Sequence, residues 1–372
     1  MREFIAGTNE AGQRLDRVLS RWLPEAEQSF LYRMLRKKNI TVNDKKADGK
    51  DRLSEGDVVR AWFSEETFKK FSGEDRGIAP VPGMPAIGTV SGNPAKLAIG
   101  AVSGKPAKPA IGAVSGMPDI VYEDSEVLAV NKPAGLLSQK ARPEDVSANE
   151  QILAYLVKTG VCTAESMRTF RPGVVNRLDR NTSGLLLAGK TLSSLRLLSE
   201  LIRGRAVGKY YLAAASGEVR EPGHLTGFLE KDRGKNQVSV SESRTNSDQK
   251  EILTDYWPLL SGPRGTLLLV HLITGKTHQI RAHLASAGHA LLGDPKYGNP
   301  EENRRLKKAF GVQAQMLHAA FLVFPEEPSL GALSGRTLSA PPPELFYRLF
   351  PDLESALSRA EAMAGSAQRA LT

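Results

Sequence analysis

The sequence has one cysteine, Cys162, in 372 residues, so an intramolecular disulfide framework and a four-cysteine zinc site are both excluded. That usage fits a reducing compartment. No apolar run reaches the length needed to span a bilayer, and the opening stretch MREFIAGTNEAGQRLD lacks the apolar centre of a signal segment. A cytoplasmic protein with no membrane partner is therefore expected. No GxGxxG lies between a strand and a helix, and no Walker phosphate loop occurs. What is present is positive charge: 50 Lys and Arg face 41 Asp and Glu, for a net charge of +9. That excess favours a polyanionic partner without saying what is done to it.

Composition divides the chain. In RLDRVLSRWL, residues 14 to 23, Leu15, Val18, Leu19 and Trp22 share one helical face and Pro24 stops the run. A second helix carries Phe30, Leu31, Met34 and Leu35, and its end carries Arg33, Arg36, Lys37 and Lys38. ITVN and GDVVRAWF then read as strands. The basic helix end reads either as a solvated face or as a phosphate-contacting surface. From residue 69 to 118 the pattern fails: PAIGTVSG, LAIGAVSG and PAIGAVSG start at 85, 97 and 109, a 12-residue period rich in Pro and Gly. With no large side chains to build a core, this is read as a linker rather than a stacked solenoid. The expected domains are 1–68, a linker at 69–118, a larger domain at 119–350 and a C-terminal tail at 351–372.

Beyond the linker, DIVYEDSEVLAVNKPAGLLS reads as two strands running to Lys132 and a Pro133 to Gly135 turn. Helices are expected at 148–158 and 191–203. GKYYLAAASG, EILTDYWPLL and GTLLLVHLI alternate as strands. Strands outnumber helices and short turns join them, so an α+β fold with a largely antiparallel mixed sheet is expected rather than a Rossmann fold.

Two polar stretches carry the candidate chemistry. NRLDRNTSG, Asn176 to Gly184, sets Asp179 between Arg177 and Arg180 and between two strand-like runs. TGKTHQIRAHLASAGH, from 274 to 289, reads as a helix capped by Thr277, with His278 and Arg281 on one face. An opposite charge favours the carboxylate anion, which suits a nucleophile or base better than an acid. Asp179 is read either as such a group, if it meets Arg281, or as a residue that pairs locally or caps its turn. His278, His283 and His289 are spaced by five and six, share no helical face and have no completing acid or cysteine, so no metal is expected.

NRLDRNTSGLLL, GKYYLA, TGKTHQIRAHL, HALLGDPKYG and MLHA, in that order, resemble the RluA-type family of pseudouridine synthases. The N-terminal module resembles the small S4 RNA-binding domain, an α/β module that precedes the catalytic domain in many members. The resemblance spans roughly 1–65 and 120–350. It implies the pseudouridine synthase catalytic fold and a cofactor-free conversion of uridine to pseudouridine in structured RNA, with large-subunit (23S) ribosomal RNA favoured. Transfer RNA and a non-catalytic role in ribosome assembly are the alternatives. By the same resemblance Asp179 is the essential aspartate, Arg281 its basic partner and Tyr211 the aromatic residue against the target base. Arg177 and Lys209 join Arg33, Arg36, Lys37 and Lys38 as expected RNA contacts, while Tyr210 should face the other way. Asn176 and Asn181 stand where many relatives carry His and Asp; both keep short polar side chains able to tie down a turn. A monomer is expected.

Overall fold

Leu15, Val18, Leu19 and Trp22 are fully buried in the computed structural model, and the α-helix they form ends at Trp22, one residue short of Leu23 and Pro24. The structure describes residues 1–72, 116–142, 144–163, 166–232, 237–262 and 264–369. It divides into two compact units, one of Met1–Met117 and Lys140–Arg171, the other of Pro118–Gln139 and Pro172–Thr372.

The first unit comprises β1 (Arg2–Ile5), α1 (Leu15–Trp22), α2 (Gln28–Arg36), β2 (Ile40–Val42), β3 (Lys45–Lys46), β4 (Val58–Ala61) and α3 (Glu65–Ser72), with α4 (Ala148–Lys158) and α5 (Ser166–Thr169) from further along the chain. The strands form a sheet in the order β1-β4-β2-β3. Trp22 sits edge-on between Phe4 at 4.8 Å and Phe68 at 5.3 Å, the aromatic geometry that the ring quadrupole favours. Phe68 lies on α3, so residues 69–72 are the end of a helix and not the start of the expected linker. The 12-residue repeats lie outside the described residues. The helix at 148–158 forms at the expected place, but it belongs to this first unit, so the larger expected domain at 119–350 is not one continuous compact body.

The second unit contains β5 (Ile120–Glu123), β6 (Val127–Lys132), β7 (Gly173–Val174), β8 (Ser183–Gly189), α6 (Leu192–Arg203), β9 (Gly208–Ala215), β10 (Gly223–Asp232), β11 (Gln237–Ser241), β12 (Lys250–Gly262), β13 (Gly265–Leu272), α7 (Gln279–Ser286), α8 (Pro300–Phe310), β14 (Leu317–Val323), β15 (Thr337–Ser339), α9 (Glu344–Leu349) and α10 (Leu353–Arg369). Among the described residues its sheet has the order β11-β10-β12-β13-β9-β14-β8-β6-β5, with β15 on β14 and β7 on β8. Only β14 and β8 run parallel; the other pairs are antiparallel. The fold is α+β with a largely antiparallel mixed sheet. Gly184 is required where β8 meets β14: its φ is 110° and a Cβ there would stand 2.2 Å from the Ala319 carbonyl oxygen.

Alternation along the strands separates two faces. Tyr210, Leu212 and Ala214 enter a core closed by Leu353, Ala356, Ala360 and Ala364 of α10. The expected tail from 351 is thus a helix through Arg369, recruited because its stripe of small residues, four apart, packs closely on the sheet. The opposite face carries Tyr211, Val270 and Thr254, joined through the register Tyr211↔Val270↔Tyr256 with Thr254 two residues before Tyr256. Helix α7 is tied to that face: Gln279 Nε2 donates to Thr254 Oγ1 at 3.0 Å, and His283 Nδ1 lies 3.0 Å from the same hydroxyl.

Candidate active site

Asp179 sits in the connection between β7 and β8, and its turn is tied from three directions. Asn176 donates from Nδ2 to Leu185 O at 3.1 Å and accepts from Leu187 N at 2.8 Å, clamping the entry of the turn to β8. Thr182 N donates to Asp179 O at 3.1 Å. Ser138 Oγ donates to Leu178 O and accepts from Leu178 N, each at 2.9 Å. Asparagine at 176 therefore does what a short polar side chain can do in a turn.

Across the sequence from this turn, Arg281 on α7 donates from Nη1 to Asp179 Oδ2 at 2.9 Å. Its Nε and Nη2 are held by both oxygens of Asp294, at 2.7 and 2.9 Å. Arg281 is 4% exposed and Asp294 fully buried. Burial alone would lower the guanidinium pKa, but the two carboxylates outweigh it and the net shift is upward. The cation is thereby paired with two carboxylates, the condition under which a buried charge is tolerated. Asp179 keeps about a quarter of its side-chain surface open, and among the described residues its Oδ1 has no hydrogen-bond donor.

His278 stands beside the pair, its Nε2 3.8 Å from Asp179 Oδ2 and its Nδ1 3.0 Å from Tyr297 Oη. It precedes α7 in the left-handed region with φ 56° and makes no capping bond from its side chain. The expected Thr277 cap does not form, because the residue at the cap position is His278. Burial lowers the His278 pKa, against the pull of Asp179, and so favours the neutral ring.

Lys132, at the end of β6, is 1% exposed and donates from Nζ to Pro133 O at 2.9 Å, Leu136 O at 2.8 Å and Arg180 O at 3.1 Å. These three carbonyls match the three N–H groups of an ammonium, and the last comes from the residue after Asp179. Burial brings this amine down to about 7, with Asp179 opposing the shift. Tyr211 is buried, and burial first and Asp179 second push its phenol up, so it carries its proton at neutral pH. Tyr210, on the other face, stacks on His271 at 4.5 Å and 13°.

The expected RNA contacts divide. Arg33, Arg36, Lys37, Lys38 and Arg177 are exposed. Lys209 is not: it is 9% exposed, and burial together with Arg205 lowers it to about 8. Lys209 lies on β9, a strand buried along its whole length. Sequence reasoning missed Arg14, Arg17 and Arg21, which with Asp16, Ser20 and Gln28 line a cleft of about 450 Å³ in the first unit. Their spacing of three and four residues, from the cap of α1 along the helix, was the available signal. It also missed roles for Lys132, Asp294 and Tyr297; an Asp before Pro reads locally as an ordinary turn residue. Among the described residues, no group of three His, Cys, Asp or Glu side chains could hold a metal ion, and no helix is long and apolar enough to cross a membrane.

The site thus joins a part-exposed carboxylate, fixed by one arm of a buried arginine, to a buried phenol on the sheet whose proton that carboxylate helps to hold. Residues 126–286 match the family model described as RNA pseudouridylate synthase. The chain is 30% identical over 367 residues to ribosomal large subunit pseudouridine synthase D of Neisseria meningitidis, covering 94% of this chain and 83% of that protein. It is 31% identical over 330 residues to ribosomal large subunit pseudouridine synthase C of Escherichia coli K12, covering 85% and 86%. The solved structure of human RNA pseudouridylate synthase domain containing 4 aligns at TM-score 0.49 and 22% identity, covering 63% of this chain and 92% of its own. The chain belongs to the RNA pseudouridylate synthase family and is an RNA pseudouridine synthase.

Proposed function

We propose that the substrate is a uridine in large-subunit (23S) ribosomal RNA and that Asp179 carries the reaction. In the isomerisation the bond from ribose C1′ to uracil N1 breaks and one from C1′ to C5 forms. The C5 hydrogen leaves as a proton and N1 gains one, so product and substrate are isomers. Asp179 acts on the ribose, either attacking C1′ or removing a ribose proton on a glycal route. The observation that carries this reading is that Arg281 occupies one oxygen of an Asp179 side chain that stays about a quarter exposed, with no donor to Oδ1 among the described residues. Arg281 keeps the carboxylate oriented and anionic until it reacts.

Tyr211 carries its proton, so it serves as a surface against the uracil and not as a resting base. A target nucleotide that leaves its stack loses base contacts, which an aromatic side chain and nearby cations offset. Exposed Arg177 is placed in sequence two residues from Asp179 for that purpose. The first unit acts as an S4-like RNA-binding module, with Arg33, Arg36, Lys37, Lys38 and the cleft-lining Arg14, Arg17 and Arg21 contacting phosphates. The protein works as a cytoplasmic monomer without a cofactor.

Pseudouridine mapping of total RNA, from cells lacking the gene and complemented with wild type or Asp179→Asn, tests the proposal. A discrete large-subunit site restored by wild type alone is expected. A site in transfer RNA overturns the substrate, and equal restoration by both copies overturns the role of Asp179.

A further inference from the structure

Arg281 has more hydrogen bonds to Asp294 than to Asp179. Both oxygens of Asp294 receive its Nε and Nη2, and only Nη1 is left for Asp179. A guanidinium is a planar fork that pairs readily with a carboxylate through two parallel bonds. Free to turn, Arg281 could present such a fork to Asp179 and occupy both of its oxygens. Pinned by Asp294, it reaches one oxygen and leaves the other for the reacting atom.

Asp294 is itself held firmly. Its Oδ1 accepts from Lys296 N at 2.8 Å and Tyr297 N at 3.2 Å. Asn303 of α8 grips the same turn twice, donating from Nδ2 to Asp294 O at 2.8 Å and accepting from Gly293 N at 2.9 Å. Gly293 has φ 76°, and a Cβ on it would stand 2.3 Å from Ala314 O; a Cβ on Gly298 would stand 2.7 Å from Asp294 O. Both ends of the turn are thus closed to side chains.

The same turn reaches the second neighbour of Asp179. Tyr297 Oη accepts from Val238 N at 2.9 Å and meets His278 Nδ1 at 3.0 Å, while its ring lies 5.3 Å from the Arg281 guanidinium carbon. We assign the Tyr297 proton to the bond with Nδ1. The ring proton then sits on Nε2, toward Asp179; the other tautomer would set a lone pair against the carboxylate.

We propose that the Gly293 to Gly298 turn is the positioning element of the active site, with Asp294 orienting Arg281 and Tyr297 orienting His278 so that both face one oxygen of Asp179. Asp294 and Tyr297 act through those side chains and touch no reacting atom. The inference rests on the reading of Asp179 as the reacting carboxylate.

The test uses the full-length chain and large-subunit ribosomal RNA from cells lacking the gene, tritiated at uridine C5, with tritium release followed at saturating enzyme. Wild-type release establishes the activity independently of the turn, and its absence would remove the underlying reading instead. With wild type active, Asp294→Asn should lower the single-turnover rate by on the order of 100-fold and leave the RNA Kd within about twofold, a split that general unfolding would not produce. Tyr297→Phe keeps the ring and the fold and should lower the rate by about tenfold, the value of one orienting hydrogen bond, again with unchanged Kd. If Asp294→Asn does not fold, Tyr297→Phe decides. A folded Asp294→Asn at the wild-type rate, or Tyr297→Phe at the wild-type rate, overturns the proposal.

Discussion

Ser183 and His318 are joined across the parallel pair of β8 and β14, with Ser183 Oγ 2.9 Å from His318 Nδ1. The other ring nitrogen, Nε2, lies 3.0 Å from Ala340 O and must donate to it, since a carbonyl can only accept. Burial favours the neutral ring, and in that form the proton sits on Nε2 and the serine donates to Nδ1. It ties three chain segments together and is fully buried.

That arrangement sets an acid limit on stability. Burial lowers the folded-state pKa of His318 to about 4 from the ordinary histidine value of about 6.5, so between those values the unfolded chain binds the proton and the folded chain does not. Stability from this group is fully present above about pH 6.5 and is lost as pH falls through about 4, by roughly 3 kcal/mol. His271, lowered to about 4 by burial, adds to the same window. Urea unfolding of wild type and His318→Gln between pH 4 and 7 should show a shallower pH slope in the variant. Equal slopes would count against a neutral His318.

Changing Arg281 to leucine should remove turnover while leaving RNA affinity nearly intact, because the guanidinium lies beneath Asp179 and is almost fully buried. It should also strand the buried Asp294 carboxylate, at a cost of about 3–5 kcal/mol. Arg281→Lys should not restore the rate, since a point charge cannot hold Asp294 by a fork and reach Asp179 as well. Single-turnover kinetics, direct RNA binding and thermal melts, taken together, check all three statements.

Asn176→Ala removes two hydrogen bonds that fasten the Asp179 turn to β8. A loss of about 1–3 kcal/mol is expected, together with a reduced catalytic rate because the turn carries the carboxylate. Asn176→His is the informative companion: recovery of both stability and rate would mean that a ring nitrogen can replace the amide in this clamp.

Replacing exposed Arg33, Arg36, Lys37 and Lys38 together with glutamine should weaken RNA binding without altering the fold. If all four contact phosphate, the slope of log affinity against log salt should flatten by about 0.7 for each lost contact to a single strand. Filter binding across a potassium chloride series measures it. An unchanged slope would assign these residues to a solvated face and leave Arg14, Arg17 and Arg21 as the cationic surface to test.

Short-range pattern was legible without coordinates. The apolar spacing of α1, the alternation that separates Tyr210 from Tyr211 and the helix at 148–158 all follow from side-chain periods of 3.6 and 2, which a few neighbouring residues define. The ordered polar motifs also singled out Asp179, Arg281 and Tyr211. The packing of the C-terminal segment was not legible, because Ala356, Ala360 and Ala364 are too small to announce a core face, and only the facing sheet turns them into one.

By itself, the sequence determined the elements, the family resemblance and which carboxylate to suspect. The tertiary structure decided which charges meet. Asp179 and Arg281 are 102 residues apart, and their 2.9 Å contact exists because the sheet register sets α7 against the turn after β7. It likewise decided that Lys209 is buried and that Asp294 holds the arginine. A charged residue's role depends on its solvent exposure and on the partner that closes over it. Both are fixed by strands paired over long separations, and no local pattern records them.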